Sequence, residues 1–134
     1  GGSDRERRAE RMILERSKHP HFSALGSGLR NLVCILDASA LVLAPDTGPL
    51  HMAVALDRPV VSLMGFTNPK RSGPYRKFHD LIVDAFGDPG ESYDASAKHR
   101  AGRMTRITPR DVLEKVDVWK ARYSAAALST LPKR

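Results

Sequence analysis

Apolar positions follow two different spacings along this chain. From Asp4 to about Ser17, Ala9, Met12, Ile13 and Arg16 recur at helical spacing among charged residues, which predicts an amphipathic helix. His19-Pro20-His21 ends it, Phe22 to Leu25 reads as a short strand, and Gly26-Ser27-Gly28 supplies a turn. Leu29, Leu32, Val33 and Leu36 then mark a helix with one face laid on a sheet. Ala40 to Ala44 is unbroken apolar sequence between Ser39 and Pro45, the pattern of a central strand buried on both faces.

The alternation continues downstream. Pro49 suits the first position of a helix, and Leu50 to Leu56 is apolar nearly all round except for His51, so that helix is expected to be buried. Pro59 to Leu63 reads as a second strand, with Pro59 at its first residue, where a missing N–H does no harm. A loop rich in Gly, Pro and basic residues, Gly65 to Arg76, leads to a third strand at Leu81-Ile82-Val83. Residues 87–103 lack periodicity and read as a long surface loop. Thr108-Pro109-Arg110-Asp111 opens a last helix with a Thr cap and an acid three residues on, followed by an apolar stripe of Val112, Val116, Trp119 and Tyr123. Alternating helix and apolar strand predicts an α/β fold with a doubly wound parallel sheet.

Composition narrows the class. The 134 residues, 41% hydrophobic and 28% charged, suit one soluble domain spanning 1–134 and include no run long enough to cross a bilayer. No secretory leader is evident, and the lone Cys34 cannot close an internal disulfide, so a reducing, cytoplasmic setting is expected. The formal charge of +7 invites an anionic partner. Aromatics, at 6%, do not alternate with the basic residues, and Arg5, Arg7, Arg8 and Arg11 interleave with acids, which argues against nucleic acid.

The candidate chemistry lies at Asp46-Thr47-Gly48-Pro49-Leu50-His51, between the first predicted strand and the helix after it. In open α/β sheets ligands bind at the carboxyl ends of strands, and a helix N-terminus there offers unpaired N–H groups to an anion. The N–H groups of Thr47, Gly48 and Leu50 could surround a phosphate, with the Thr47 hydroxyl and the His51 imidazole as further donors. Asp46 would repel phosphate and better suits sugar or ribose hydroxyls. The bland alternative is a helix-capping turn beside a satisfied histidine, and spacing alone leaves the two readings level.

A longer pattern tips the balance. Asp46 to Ala53, continuing through Ala55-Leu56-Asp57-Arg58-Pro59-Val60-Val61 to Gly65-Phe66-Thr67-Asn68-Pro69, resembles the signature of lipopolysaccharide heptosyltransferases, glycosyltransferase family nine. Gly73-Pro74-Tyr75, Met104 and Ile107-Thr108-Pro109 fall where that family carries similar residues, and Gly1-Gly2-Ser3 resembles its glycine turn after an earlier strand. Phe66 stands where the family usually has Pro, and Asn68 where it usually has Asp.

The resemblance implies the Rossmann-like C-terminal half of a two-domain GT-B glycosyltransferase, lacking its first strand. It implies that Thr47, Gly48, Leu50 and His51 hold the donor diphosphate, that Asp46 contacts the donor sugar, and that Leu25 and Ser27 lie near the adenine. Glu6, with Arg5 competing for the position, corresponds to a ribose-binding glutamate. The implied donor is ADP-heptose or a related nucleotide sugar, with no metal and no cofactor, and the acceptor a lipopolysaccharide core. The family's general base belongs to its N-terminal domain, and a phosphate-binding lysine to the first strand. Neither is expected within this chain, so the isolated chain is expected to bind donor weakly and transfer nothing. A location at the inner face of the bacterial inner membrane, peripheral membrane association, and self-association through an exposed sheet edge are further expectations. The rival reading is a nonenzymatic nucleotide- or phosphate-binding module using the same turn.

Overall fold

Val60–Met64 (β2) is the middle strand of a three-stranded parallel sheet, flanked by Val42–Pro45 (β1) and Ile82–Asp84 (β3). The register pairs Val42 with Val60 and Pro45 with Leu63 on one side of β2, and Ser62 with Ile82 and Met64 with Asp84 on the other. The computed structural model describes residues 2–129. The remaining helices are α1 (Asp4–Arg16), α2 (Leu29–Asp37), α3 (Gly48–Ala55), α4 (Pro69–Ser72), α5 (Pro109–Arg122) and α6 (Ser124–Ser129). The result is a Rossmann-like α/β architecture, a parallel sheet flanked by helices. Among the described residues no helix is long and apolar enough to cross a membrane.

The chain divides after Cys34 into two compact units. In the first, Ser3 and Glu6 form a capping box at the start of α1, and no residue of that helix is buried. Phe22 to Leu25, read above as a strand, is not one. A strand needs a neighbour to take its backbone bonds, and this segment has no ladder partner among the described residues; Phe22 is 80% exposed.

In the second unit the core gathers around β2. Val60, Val61, Met64, Leu50, Leu81 and Phe86 are fully buried, and each such side chain stabilises the fold by about 1.5–3 kcal/mol relative to exposure. The β1 strand, expected to be central, is an edge strand: it pairs only with β2 among the described residues. Its burial accordingly alternates, with Val42 and Ala44 buried and Leu43 55% exposed. The α3 helix is likewise buried on one face, through Leu50 and Ala53, rather than all round.

Two polar anchors complete the unit. Arg58, buried beneath the α3–β2 turn, pairs with Asp37 at 3.1 Å. Asp80 ties α5 to the 3-10 turn before β3, accepting from Tyr123 Oη and Arg122 Nη1, each at 2.8 Å, while Lys115 Nζ donates to its carbonyl. Partial burial pushes the Asp80 carboxyl up, but the hydrogen bonds from Tyr123 and Arg122 outweigh it and hold it below the ordinary range. The α5 helix begins as its sequence implies: Thr108 and Asp111 make a reciprocal capping box, with Pro109 at the first position.

Candidate functional site

The site starts where β1 stops. Pro45 closes the strand, Asp46 and Thr47 turn the chain, and Gly48-Pro49 opens α3. Thr47 is the cap residue, extended at φ −147° and ψ 170°; its hydroxyl makes no capping bond and donates instead to the Pro45 carbonyl at 3.3 Å. The Leu50 N–H donates to the Thr47 carbonyl at 3.1 Å, and its side chain is fully buried. The N–H groups of Thr47 and Gly48 take no partner among the described residues. Two orphan donors thus sit at the positive end of the helix, the condition for anion binding.

Beside them, His51 Nε2 lies 3.0 Å from Asp46 Oδ1, with the histidine side chain 50% exposed and the aspartate 16%. The side chains of Thr67 and Ser72 also act on the Asp46 carboxylate, and the Ser72 hydroxyl donates to the Asn68 carbonyl at 3.3 Å. Partial burial raises its pKa, yet hydrogen bonds from Thr67, Ser72 and His51 together leave it below the usual carboxylate range. The carboxylate is therefore charged and accepts from Nε2–H. That assignment leaves Nδ1 as the outward nitrogen, which donates to a ligand only when the ring carries both protons. His51 also lines a cavity of about 290 Å³ with Tyr75, Arg76 and Lys77.

The loop that supplies Thr67 and Ser72 is fastened from behind. Asn68 is fully buried and caps α4: its Oδ1 accepts from the Lys70 N–H at 2.9 Å, while Nδ2 donates to the carbonyls of Asp94 and Ala97 at 2.7 and 2.8 Å. Phe66 stacks on His99 at 5.5 Å and 9°, and its carbonyl accepts from the Arg100 N–H. Thr67 and His99 form an antiparallel bridge. Phe66 and Asn68 are thus the residues that grip 94–100. Gly65 lets the backbone of Arg103 and Met104 approach closely, since a Cβ there would lie 2.9 Å from the Met104 backbone nitrogen.

Asp46, Thr47, Gly48, Leu50 and His51 are brought together by one strand end and one helix start. Glu6, Leu25 and Ser27 lie in the first unit. The Glu6 carboxylate accepts from the N–H groups of Gly2 and Ser3 and from the Ser3 hydroxyl, each at 2.7 Å. The Ser3 hydroxyl foremost, with those N–H groups, draws its pKa down to about 2. Leu25 is 38% exposed, and the Ser27 N–H and carbonyl bond Ala24 and Asn31 within a turn. Sequence reasoning missed Thr67 and Ser72 as partners of Asp46, because nothing in local spacing connects a hydroxyl loop after β2 to a turn after β1.

Residues 2–93 match the model of glycosyltransferase family 9 (heptosyltransferase). The chain belongs to glycosyltransferase family 9. It is similar to the lipopolysaccharide core heptosyltransferase OpsX of Haemophilus influenzae, 25% identical over 92 residues, which are 69% of this chain and 26% of that protein. The chain therefore spans about a quarter of the curated relative it matches. No solved structure matches it. The family 9 match takes in the Asp46–His51 turn and all three strands and stops in the loop after β3, so the 94–100 segment that grips Phe66 and Asn68 lies outside it.

Proposed function

We propose that this chain is the donor-binding part of a glycosyltransferase that moves heptose, or another sugar, from an ADP-heptose-type donor to a lipopolysaccharide core or similar acceptor. The observation that carries the reading is the pair of N–H groups at Thr47 and Gly48 that have no partner among the described residues, at the start of α3 and the carboxyl end of β1. The family match and the name of the OpsX relative support that substrate class.

Sugar transfer from a nucleotide needs the departing diphosphate stabilised and the acceptor hydroxyl deprotonated as it attacks. Thr47 and Gly48 meet the first need with N–H donors and the helix dipole. His51 adds a proton at Nδ1 when doubly protonated, with Asp46 fixing the ring from the other side. Asp46 faces Thr67, Ser72 and His51 with its charge, so its role toward the donor sugar is exercised by whatever lone pairs those three leave open. The base comes from the family's other domain, and these 134 residues alone bind donor without transferring its sugar.

Magnitudes fit weak binding. Two charge-assisted hydrogen bonds contribute about 1.5–3 kcal/mol each, enough to reach the roughly 4 kcal/mol of millimolar affinity and not much beyond. An amide-shift titration of the chain with ADP-heptose, ADP and a UDP-sugar tests this. The adenine nucleotides are expected to move the Thr47 to His51 signals saturably in the millimolar range, with the UDP-sugar weaker. Signals at 46–51 that stay put with all three ligands sink the proposal.

A further inference from the structure

A larger basic cavity adjoins the small one at His51, sharing Tyr75 and Arg76 with it. It measures about 550 Å³ and is lined by Lys70, Arg71, Tyr75, Arg76, Asp84 and Tyr93, among others. That volume is within the usual range for small-molecule sites. We propose that it binds a sugar carrying a phosphate or carboxylate group, as an anion site separate from Asp46–His51.

The charge balance is the first argument. Three cations face one carboxylate, and that carboxylate is already occupied: Asp84 accepts from the Tyr93 hydroxyl and from the Phe86 N–H. Arg100, Arg103, Arg106 and Arg122 each pair with an acid, whereas Arg71 and Arg76 have no carboxylate partner among the described residues. Two guanidiniums left unpaired beside a cavity form a receptor for a planar or tetrahedral anion, which they can grip with paired N–H donors.

The loop lining this cavity is also preorganised. Arg76 and Phe78 both adopt left-handed backbone, at φ 64° and 61°. Such conformations are strained for non-glycine residues and persist where surrounding structure enforces them. Here the enforcement is visible. Lys77 pairs with Asp57 at 2.5 Å, His79 Nε2 contacts the Pro74 carbonyl at 2.8 Å, and Phe78 is buried edge-on against Tyr123. The Arg76 guanidinium rests 4.9 Å from the centre of the Tyr75 ring.

The ring faces supply the sugar component. Tyr75 is 69% exposed, and the Lys70 ammonium lies 4.7 Å over Tyr93 while donating to the Tyr93 carbonyl. Phenol, ammonium and guanidinium together suit a pyranose with one anionic substituent. Tyr75 and Arg76 also line the small cavity of His51, so Arg76 stands between the two anion sites.

The test titrates the 134-residue chain with glucose 6-phosphate, glucuronate and inorganic phosphate at constant ionic strength, following the amide signals of Arg71, Arg76, Asp84 and Tyr93. Glucose 6-phosphate or glucuronate is expected to saturate these signals, and which of them does so identifies the anion. The double variant Arg71→Gln, Arg76→Asn is expected to weaken that binding at least tenfold; Asn tolerates left-handed backbone, so the loop keeps its path. Inorganic phosphate binding as tightly as either sugar overturns the sugar assignment. Saturation by none of the three, or a double variant within twofold of the parent, overturns the site. ADP shifts at Thr47 to His51 are read in the same samples, so failure of the donor reading is scored separately.

Discussion

His51 Nε2 and Asp46 Oδ1 lie 3.0 Å apart, linking the first turn of α3 back to the last residue before its cap. Because Thr67 and Ser72 also lower the pKa of that carboxylate, the pair couples the helix start to the loop after β2. Asp46→Asn and His51→Ala are each expected to weaken ADP binding, and the double variant to lose less than the sum. Residues in one hydrogen-bonded network couple by about 0.5–3 kcal/mol. A double-mutant cycle on ADP affinity measures it, and strict additivity contradicts the pairing.

Asn68→Asp changes one atom in a fully buried side chain. It removes the two donors to the Asp94 and Ala97 carbonyls and sets an acid against them. A loss of about 3 kcal/mol or more is expected in urea unfolding, from unsatisfied buried acceptors and the cost of burying or neutralising the new acid.

The Glu91 carboxylate receives both terminal nitrogens of Arg100, at 2.6 and 2.7 Å. The Arg100 hydrogen bonds draw its pKa from 4.5 down to about 2. A depressed carboxylate favours the fold when ionised: its contribution is complete above the unfolded value and fades as pH falls through the folded one. Stability is therefore expected to decline between pH 4.5 and 2, and Glu91→Gln to flatten that decline in thermal melts across this range.

Among the described residues the β1 strand presents an open edge, with Leu43 exposed. Open, apolar edges pair with other chains unless a charge blocks them. Sedimentation is expected to show concentration-dependent association that Leu43→Lys reduces. A monomer at all concentrations, identical for parent and variant, removes that expectation.

How much of this was legible in the sequence follows from the range of the forces involved. The α1 helix and the Thr108–Asp111 cap of α5 were readable because they depend on residues within one turn of each other. The strand positions were readable within a residue or two, since Val60 to Met64 is apolar apart from Ser62 and bounded by turn residues. The place of β1 in the sheet was not readable, because a fully apolar run looks the same at an edge as at the centre. Phe22 to Leu25 failed for the related reason that strand propensity cannot supply a partner. At the site, the turn at Asp46 to His51 could be placed from the strand–helix boundary. The Thr67, Ser72 and Asn68 contacts could not, because they arise from tertiary approach of distant loops.

The central claim is that Thr47 and Gly48 offer their N–H groups to a diphosphate. Gly48 gives the most direct test because the fold does not require glycine there: a Cβ would meet only Met52 Cε, at an ordinary 3.6 Å, and its backbone lies outside the left-handed region. Gly48→Ala should leave stability unchanged or raise it by up to about 1 kcal/mol through helix propensity. The added methyl should crowd a phosphate at the helix start and weaken ADP binding tenfold or more, about 1.4 kcal/mol. ADP titration of the variant beside the parent decides the matter: loss of the Thr47 to His51 shifts in a fully folded variant is the predicted result, and unchanged affinity contradicts the account.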